Sequence, residues 1–257
     1  MVSIYTLASG SSGNCTYVRC GDTEFLIDAG ISRREIQKKL LSLGTTLENL
    51  SAVFVTHEHS DHIKGIEMLA KYDRIPIYGA RLSLFFMKSV DPSLFRFIEP
   101  NTPTVLSDVS VTPFATDHDS LASFGYTVSY KGYRFGFCTD LGRPTNAVTD
   151  ALFGCRAVVL EANYDKEMLK YGPYPAFLKS RISGRFGHLD NEVSAKFAAF
   201  LAKSGTERIV LAHLSKENNT PEVAYATVWK HLQEESLSPS LAVADRYGIT
   251  ELVTIEC

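Results

Sequence analysis

Residues Phe54 to Gly65 read FVTHEHSDHIKG, and within that stretch His57, Glu58, His59, Asp61 and His62 crowd imidazoles and carboxylates behind a β-branched apolar run. These donor types suit borderline transition metals such as zinc, iron or manganese. The alternation His57, His59, Asp61 sends donors to one side of an extended loop, and His62 turns inward as a helix begins. One ion would be oversupplied, so the spacing points to two. Completing two coordination spheres needs donors from other strands. Three apolar runs supply them: ATDHD with His118, FCTDLG with Asp140 and VLAHLS with His213. Taken singly, each has a plain alternative, since a turn carboxylate such as Asp140 is common at strand ends.

Such donors converge only if rigid elements end at one place. Strands are expected at Val2 to Leu7, Cys15 to Arg19 and Glu24 to Ile27, separated by ASGSSGN and CGDTE as turns. A helical pattern runs from Ser32 to Leu43 and stops at Gly44, and SAVFVT reads as a buried strand ending at Thr56, directly before His57. Helix Ile63 to Lys71, strand Ile75 to Tyr78 and helix Arg81 to Lys88 follow. Strands then lie near Val109 to Ala115, Phe124 to Tyr130 and Tyr133 to Cys138, the last two joined by a hairpin through Lys131 and Gly132. The second half carries strand Ala157 to Leu160, an irregular segment Asn163 to Gly187, and helix Asn191 to Lys203 with Asp190 as N-cap and Gly205 as stop. Strand Arg208 to Ala212, helix Glu222 to Glu235 and strands Leu241 to Ala244 and Leu252 to Ile255 complete the chain. Two rounds of meander, strands and helices without a linker argue for an α/β (α+β) protein with two sheets in the core and helices on the outer faces.

With 45% hydrophobic residues among 257, the chain has enough apolar surface for a core. Its 26 Lys and Arg against 29 Asp and Glu leave a net charge of −3, so no global basic field advertises a polyanion or an anionic membrane. Cys15, Cys20, Cys138, Cys155 and Cys257 are odd in number, scattered and free of CxxC spacing, which fits reduced, mostly buried thiols. The N-terminus carries no signal-peptide pattern, and no window approaches a spanning helix. A soluble, cytoplasmic protein without a membrane role is expected.

The pattern HxHxDH, followed by a strand-end His, then Asp, then His, resembles the metallo-β-lactamase fold of hydrolases, a four-layer αββα sandwich of two mixed sheets flanked by helices. The resemblance implies that His57, His59 and His118 hold one metal, that Asp61, His62 and His213 hold the other, and that Asp140 bridges both. Two divalent ions (Zn, Mn or Fe) would then share a hydroxide, which is a nucleophile at neutral pH, and would neutralise charge on a phosphoryl group. Further stretches, VVLEANYD with Glu161 and GRFGHLDNE with His188, resemble the Glu and His pair of tRNase Z-type nucleases. There the histidine, oriented by the glutamate, protonates the leaving oxygen. The intervals from His118 to Asp140 and from Asp140 to His213 are too short for a tRNase Z arm or a β-CASP insertion, so residues 1–257 are expected to form a single metallo-β-lactamase-fold domain.

The blocks SGSSGN, DAGIS, THEHSDHIKG, EANYDKEMLKYGPYP, GHLDNE and HLSKENNTPE resemble, in this order, the WalJ (YycJ) family of bacterial proteins. That resemblance implies a 5′-to-3′ exonuclease acting on duplex or single-stranded DNA and linked to repair, with Asp61, Glu161 and His188 in the catalytic machinery. FCTDLG departs from the family's TDTG-like wording beside the bridging Asp. Between Glu161 and His188 lies a basic and aromatic segment with Lys166, Lys170, Lys179, Arg181 and Arg185, suited to a phosphate backbone, although most charge runs are simply solvated. Ser11, Ser12, Asn14 and Lys216 complete the candidate substrate contacts. Two other readings stay open: a hydrolase of a small substrate (a cyclic or nucleotide phosphodiester, or a glyoxalase II-like thioester) or of RNA, and a non-catalytic binding protein.

Overall fold

The computed structural model describes residues 1–256, and Cys257 lies outside them. The chain opens with antiparallel strands β1 (Val2–Ala8), β2 (Cys15–Cys20) and β3 (Thr23–Ile27). Helix α1 (Arg33–Ser42) starts at a capping box in which Ser32 and Glu35 satisfy each other's backbone donors. Next come β4 (Leu50–Phe54), α2 (Ser60–Ile63), α3 (Ile66–Asp73), β5 (Ile77–Gly79), α4 (Arg81–Phe86) and β6 (Phe95–Phe97). Strands β7 (Thr104–Leu106), β8 (Val109–Ala115), β9 (Phe124–Tyr130) and β10 (Tyr133–Cys138) follow, then α5 (Asn146–Leu152) and β11 (Ala157–Glu161). The remainder holds α6 (Lys166–Tyr171), α7 (Ala176–Ile182), α8 (Asn191–Lys203), β12 (Arg208–Ala212), α9 (Pro221–Glu234), β13 (Ser240–Val243) and β14 (Thr250–Ile255).

The strands form two seven-stranded mixed sheets, ordered β14-β1-β2-β3-β4-β5-β6 and β13-β12-β11-β10-β9-β8-β7. Strand alternation sorts their side chains into three apolar interfaces. Val2, Ile4, Phe25 and Phe54 of the first sheet meet Val111, Tyr126, Phe135 and Val210 of the second in a central core. Leu7, Leu26 and Val53 face the other way and pack against Ile36 and Leu40 of α1 and Leu69 of α3. Val158 and Leu211 face α8 and α9, where Phe197, Leu201, Val228 and Leu232 cover them. Three interfaces separate four layers, so the architecture is αββα, as the sequence reading expects.

Several local features differ from expectation. The helix expected over Ile63 to Lys71 starts instead at Ile66, after the single turn of α2 ends at Ile63, and between them the Gly65 amide donates to the Ala29 carbonyl at 2.7 Å. The segment expected to be irregular contains α6 and α7; Asp165 caps the first, but no residue of α7 is buried. Helix α5 and the short strands β6 and β7 carry too few periodic apolar positions to be seen from sequence. The β9–β10 hairpin turns through Lys131 and Gly132, both at positive φ (47° and 82°), as a two-residue turn requires. All four cysteines among the described residues are buried free thiols.

Candidate metal centre

Strands β10, β11 and β12 are parallel neighbours, and β8 runs in the same sense because two antiparallel pairings separate it from β10. Their C-terminal ends therefore open on one edge, where His118, Asp140, Glu161 and His213 follow or end them. In the other sheet β3 and β4 are parallel, so Asp28 and the His57 to His62 loop emerge side by side. Asp28, Asp140 and His213 all adopt left-handed backbone conformations, with φ of 59°, 57° and 58°. This region is uncommon for residues with a Cβ. Here each bend turns a side chain off its strand end into the shared space.

The donor atoms gather in overlapping groups: His57, His59 and His118; Asp61, His62 and His213; and His57, His62 and Asp140, each within 4.8 Å of one another. Asp140 sits between the first two sets, its Oδ1 3.7 Å from His118 Nε2 and its Oδ2 3.2 Å from His62 Nε2. His213 Nε2 and His62 Nε2 lie 3.4 and 3.6 Å from Asp61 Oδ2. Protein partners engage the other nitrogen of most rings. His62 Nδ1 donates to Asp28 Oδ2 at 2.7 Å, His213 Nδ1 to Glu161 Oε1 at 2.8 Å and His118 Nδ1 to the Gly187 carbonyl at 3.2 Å, while His57 Nδ1 contacts Thr56 Oγ1 at 3.0 Å. Each of these four rings thus presents Nε2 to the centre, the arrangement seen when imidazoles are held for ligation.

The residues fit cations. His57 Nε2 and Asp140 Oδ2 are buried, and neither has an aligned hydrogen-bond partner among the described residues. Leaving polar atoms so is costly unless an ion engages them. Burial pushes His57 well below the usual imidazole range and so keeps it neutral. Burial also opposes charge on His213, but the Asp140, Asp61 and Glu161 carboxylates outweigh it and lift the imidazole to about 10. A divalent cation at the same place would answer those carboxylates in place of the protons. Glu58 takes no part: it is buried and accepts from Ser83 Oγ and the Leu121 amide, both at 2.7 Å.

A fourth group, Asp140, Glu161, His188 and His213, adjoins the others. Glu161 is fully buried, and its Oε1 accepts from His188 Nδ1 at 2.9 Å as well as from His213 Nδ1, with the Asp140 amide at 3.2 Å. Its Oε2 accepts the Leu141 and Leu189 amides at 3.2 and 3.0 Å. Burial opposes its ionisation, yet the two imidazoles hold the carboxyl at about 2. Because the nitrogens that meet here already donate to Glu161, this group orients rings. The His188 side chain stays 20% exposed, with its Nε2 turned to no hydrogen-bond partner among the described residues.

Other expectations resolve differently. Although Asp117 and Asp119 flank His118 in the sequence, its Nδ1 donates to a backbone carbonyl, that of Gly187. Asp117 pairs with Arg143 at 2.8 Å and Arg185 at 3.4 Å, and Asp119 gives Oδ2 to Arg181 while its Oδ1 lies 3.5 Å from His118 Nε2. Lys179 donates to the Lys170 carbonyl at 2.7 Å, and Lys166 binds Glu192 at 2.6 Å. Much of the basic segment's charge is therefore already answered within the protein. Asn14 is buried and its Nδ2 lies 3.1 Å from His62 Nε2 and 3.3 Å from Asp61 Oδ2, so it braces the donor loop; Ser11, Ser12 and Lys216 are exposed. Asp28 escaped sequence reading. Its signals in the sequence are its place at the head of the DAGIS block and at the end of the strand beside the histidine loop.

A family model for the beta-lactamase superfamily domain matches residues 23–214. The chain is 33% identical to exodeoxyribonuclease WalJ of Streptococcus pneumoniae over 237 residues, which cover 90% of this chain and 88% of that protein. It is also 33% identical to exodeoxyribonuclease YycJ of Bacillus anthracis over 234 residues, 89% and 88% of the two chains. Among solved structures, the metallo-beta-lactamase fold protein YhfI of Bacillus subtilis superposes with a TM-score of 0.71 over 97% of this chain and 98% of that one, at 16% identity, and shares the fold.

Proposed function

We propose that this chain, which belongs to the WalJ/YycJ family within the beta-lactamase superfamily, is a metal-dependent exonuclease that degrades DNA from the 5′ end, acting as one domain in the cytoplasm and serving DNA repair. The observation that carries the reading is the Glu161–His188 pair set against the donor groups. His57, His59 and His118 would hold one divalent ion, Asp61, His62 and His213 a second, and Asp140 both, with zinc, manganese and iron all compatible with the donor set. Bound there, the ions supply an activated water and neutralise charge on the phosphoryl oxygens.

The chain's own residues do the rest. Asp28, Glu161, Gly187 and Thr56 fix ring orientations before substrate arrives, so little reorganisation remains for the reaction. Glu161 stays ionised and holds His188 through Nδ1, leaving Nε2 to carry a proton. A sugar alkoxide is a poor leaving group, so a proton placed at the departing oxygen is worth about 10²- to 10⁴-fold in rate. Thioester hydrolysis needs no such acid.

The test is digestion of duplex DNA labelled separately at each end, with manganese or zinc supplied. Stepwise loss from the 5′ end is expected, slowed about 10²- to 10⁴-fold by His188→Ala with metal content retained. Asp61→Ala should lose both metal and activity. If no metal supports digestion while a thioester or a small cyclic phosphodiester turns over, the chain is a small-substrate hydrolase and the nuclease reading fails.

A further inference from the structure

Beside the metal centre a groove of about 990 Å³ runs between the α2 segment and the turn after α4, with His59 and Asp119 among its lining residues. Part of its wall is apolar, and Phe86 and Leu121 there are 57% and 53% exposed. Lys64 and Lys88 also line it, and neither forms an ion pair among the described residues. Of the three acids on the wall, Glu67 alone has no protein partner among the described residues. Glu58 is turned inward onto Ser83 and Leu121, and Asp119 takes Arg181, which leaves Glu67 against two lysines.

We propose that this groove is the subsite for single-stranded DNA next to the scissile bond, with a base against Phe86 and Leu121 and flanking phosphates on Lys64 and Lys88. The assignment rests on the nuclease reading above. Three observations single out a nucleic acid strand as the occupant. The groove is continuous with the donor cluster through His59, so a strand lying in it reaches the reacting centre. Lys64 and Lys88 hold no ion pair among the described residues, so phosphates find two cations that need give up no partner. Its exposed aromatic ring offers a stacking face that tolerates any base. Lys166, Arg181 and Arg185, favoured by sequence, are instead held by Glu192, Asp119 and Asp117 and would have to give up those partners first.

The test measures binding of a phosphorothioate-linked single-stranded DNA to the metal-loaded protein across a salt series. Each phosphate contact on a single strand contributes about 0.7 to the slope of log affinity against log salt, so Lys64→Ala with Lys88→Ala should flatten it by about 1.4. Phe86→Ala should weaken binding about tenfold with the slope kept, Glu67→Gln should tighten it, and Lys131→Ala, on the β9–β10 turn, should leave the slope as in the wild type. Methyl p-nitrophenyl phosphate, too small to span the groove, is the reference substrate, and the lysine variants should lose DNA cleavage far more than ester cleavage. An unchanged slope in a protein that still digests DNA overturns the groove assignment alone. Equal loss of ester and DNA cleavage also overturns it, because the lysines would then be acting on the metal centre. A wild type that neither binds nor digests DNA overturns the nuclease reading and the groove together.

Discussion

Asp28 contributes no atom to the donor groups, yet its carboxylate holds His62 Nδ1 at 2.7 Å and accepts the Thr56 amide at 2.8 Å. It also contacts the Thr56 hydroxyl that meets His57. Two donor rings therefore depend on one buried carboxylate. Removing such a partner typically costs about 10- to 100-fold in metal affinity, and Asp28→Ala should show that loss in competition with a chelating dye. Wild-type affinity in the variant would mean that backbone geometry alone positions His62. Glu161 is the counterpart on the other sheet and serves His188 and His213 together. The sequence reading assigned it only the first of these.

At the scale of elements, the site depends on how closely loops approach one another. After β3, a Cβ on Gly30 would sit 1.6 Å from the Asp61 carbonyl oxygen, and the Gly30 amide donates to the Asn14 carbonyl at 2.7 Å. The Asn14 amide in turn donates to the Asp61 carbonyl at 2.7 Å, so three loops are laced together without space for a side chain. Gly30→Ala should destabilise the fold by about 3 kcal/mol or more, a size reserved for backbone clashes and comparable core disruption. It should also weaken metal binding by displacing Asp61. Denaturant unfolding and metal titration of the same sample check both, and a midpoint shift of under about 0.5 kcal/mol equivalent, the range of ordinary surface changes, would show that the loops yield. Between α2 and α3 the Gly65 amide likewise donates to the Ala29 carbonyl.

For the whole molecule, the two sheets meet through an apolar core and expose one shared edge, so whatever binds at that edge clamps both sheets. A ligand at 100 times its dissociation constant stabilises the folded state by about 2.7 kcal/mol. At about 2–4 °C per kcal/mol for a chain of this size, chelation should lower the melting temperature by about 5–11 °C. Restoring manganese or zinc should reverse the shift, and Asp140→Asn should blunt it; a melting temperature indifferent to chelator would argue against ions bridging the sheets. Much of this was legible in the sequence. The donor residues, their strand ends, the two-sheet core, the Asp190 cap and the 131–132 hairpin follow from local chemistry and from apolar periodicity, which act between neighbours along the chain. Other features arise only when distant segments meet: the Gly187 carbonyl behind His118, the brace from Asn14, the dual role of Glu161, the ion pairs that tie up Arg181 and Arg185, and the free lysines of the groove. Side-chain type tells what a residue can bind. Which partner it meets first is decided by the packing of one sheet against the other, since hydrogen bonds and ion pairs reach only a few ångströms and the residues that satisfy them lie far apart in sequence.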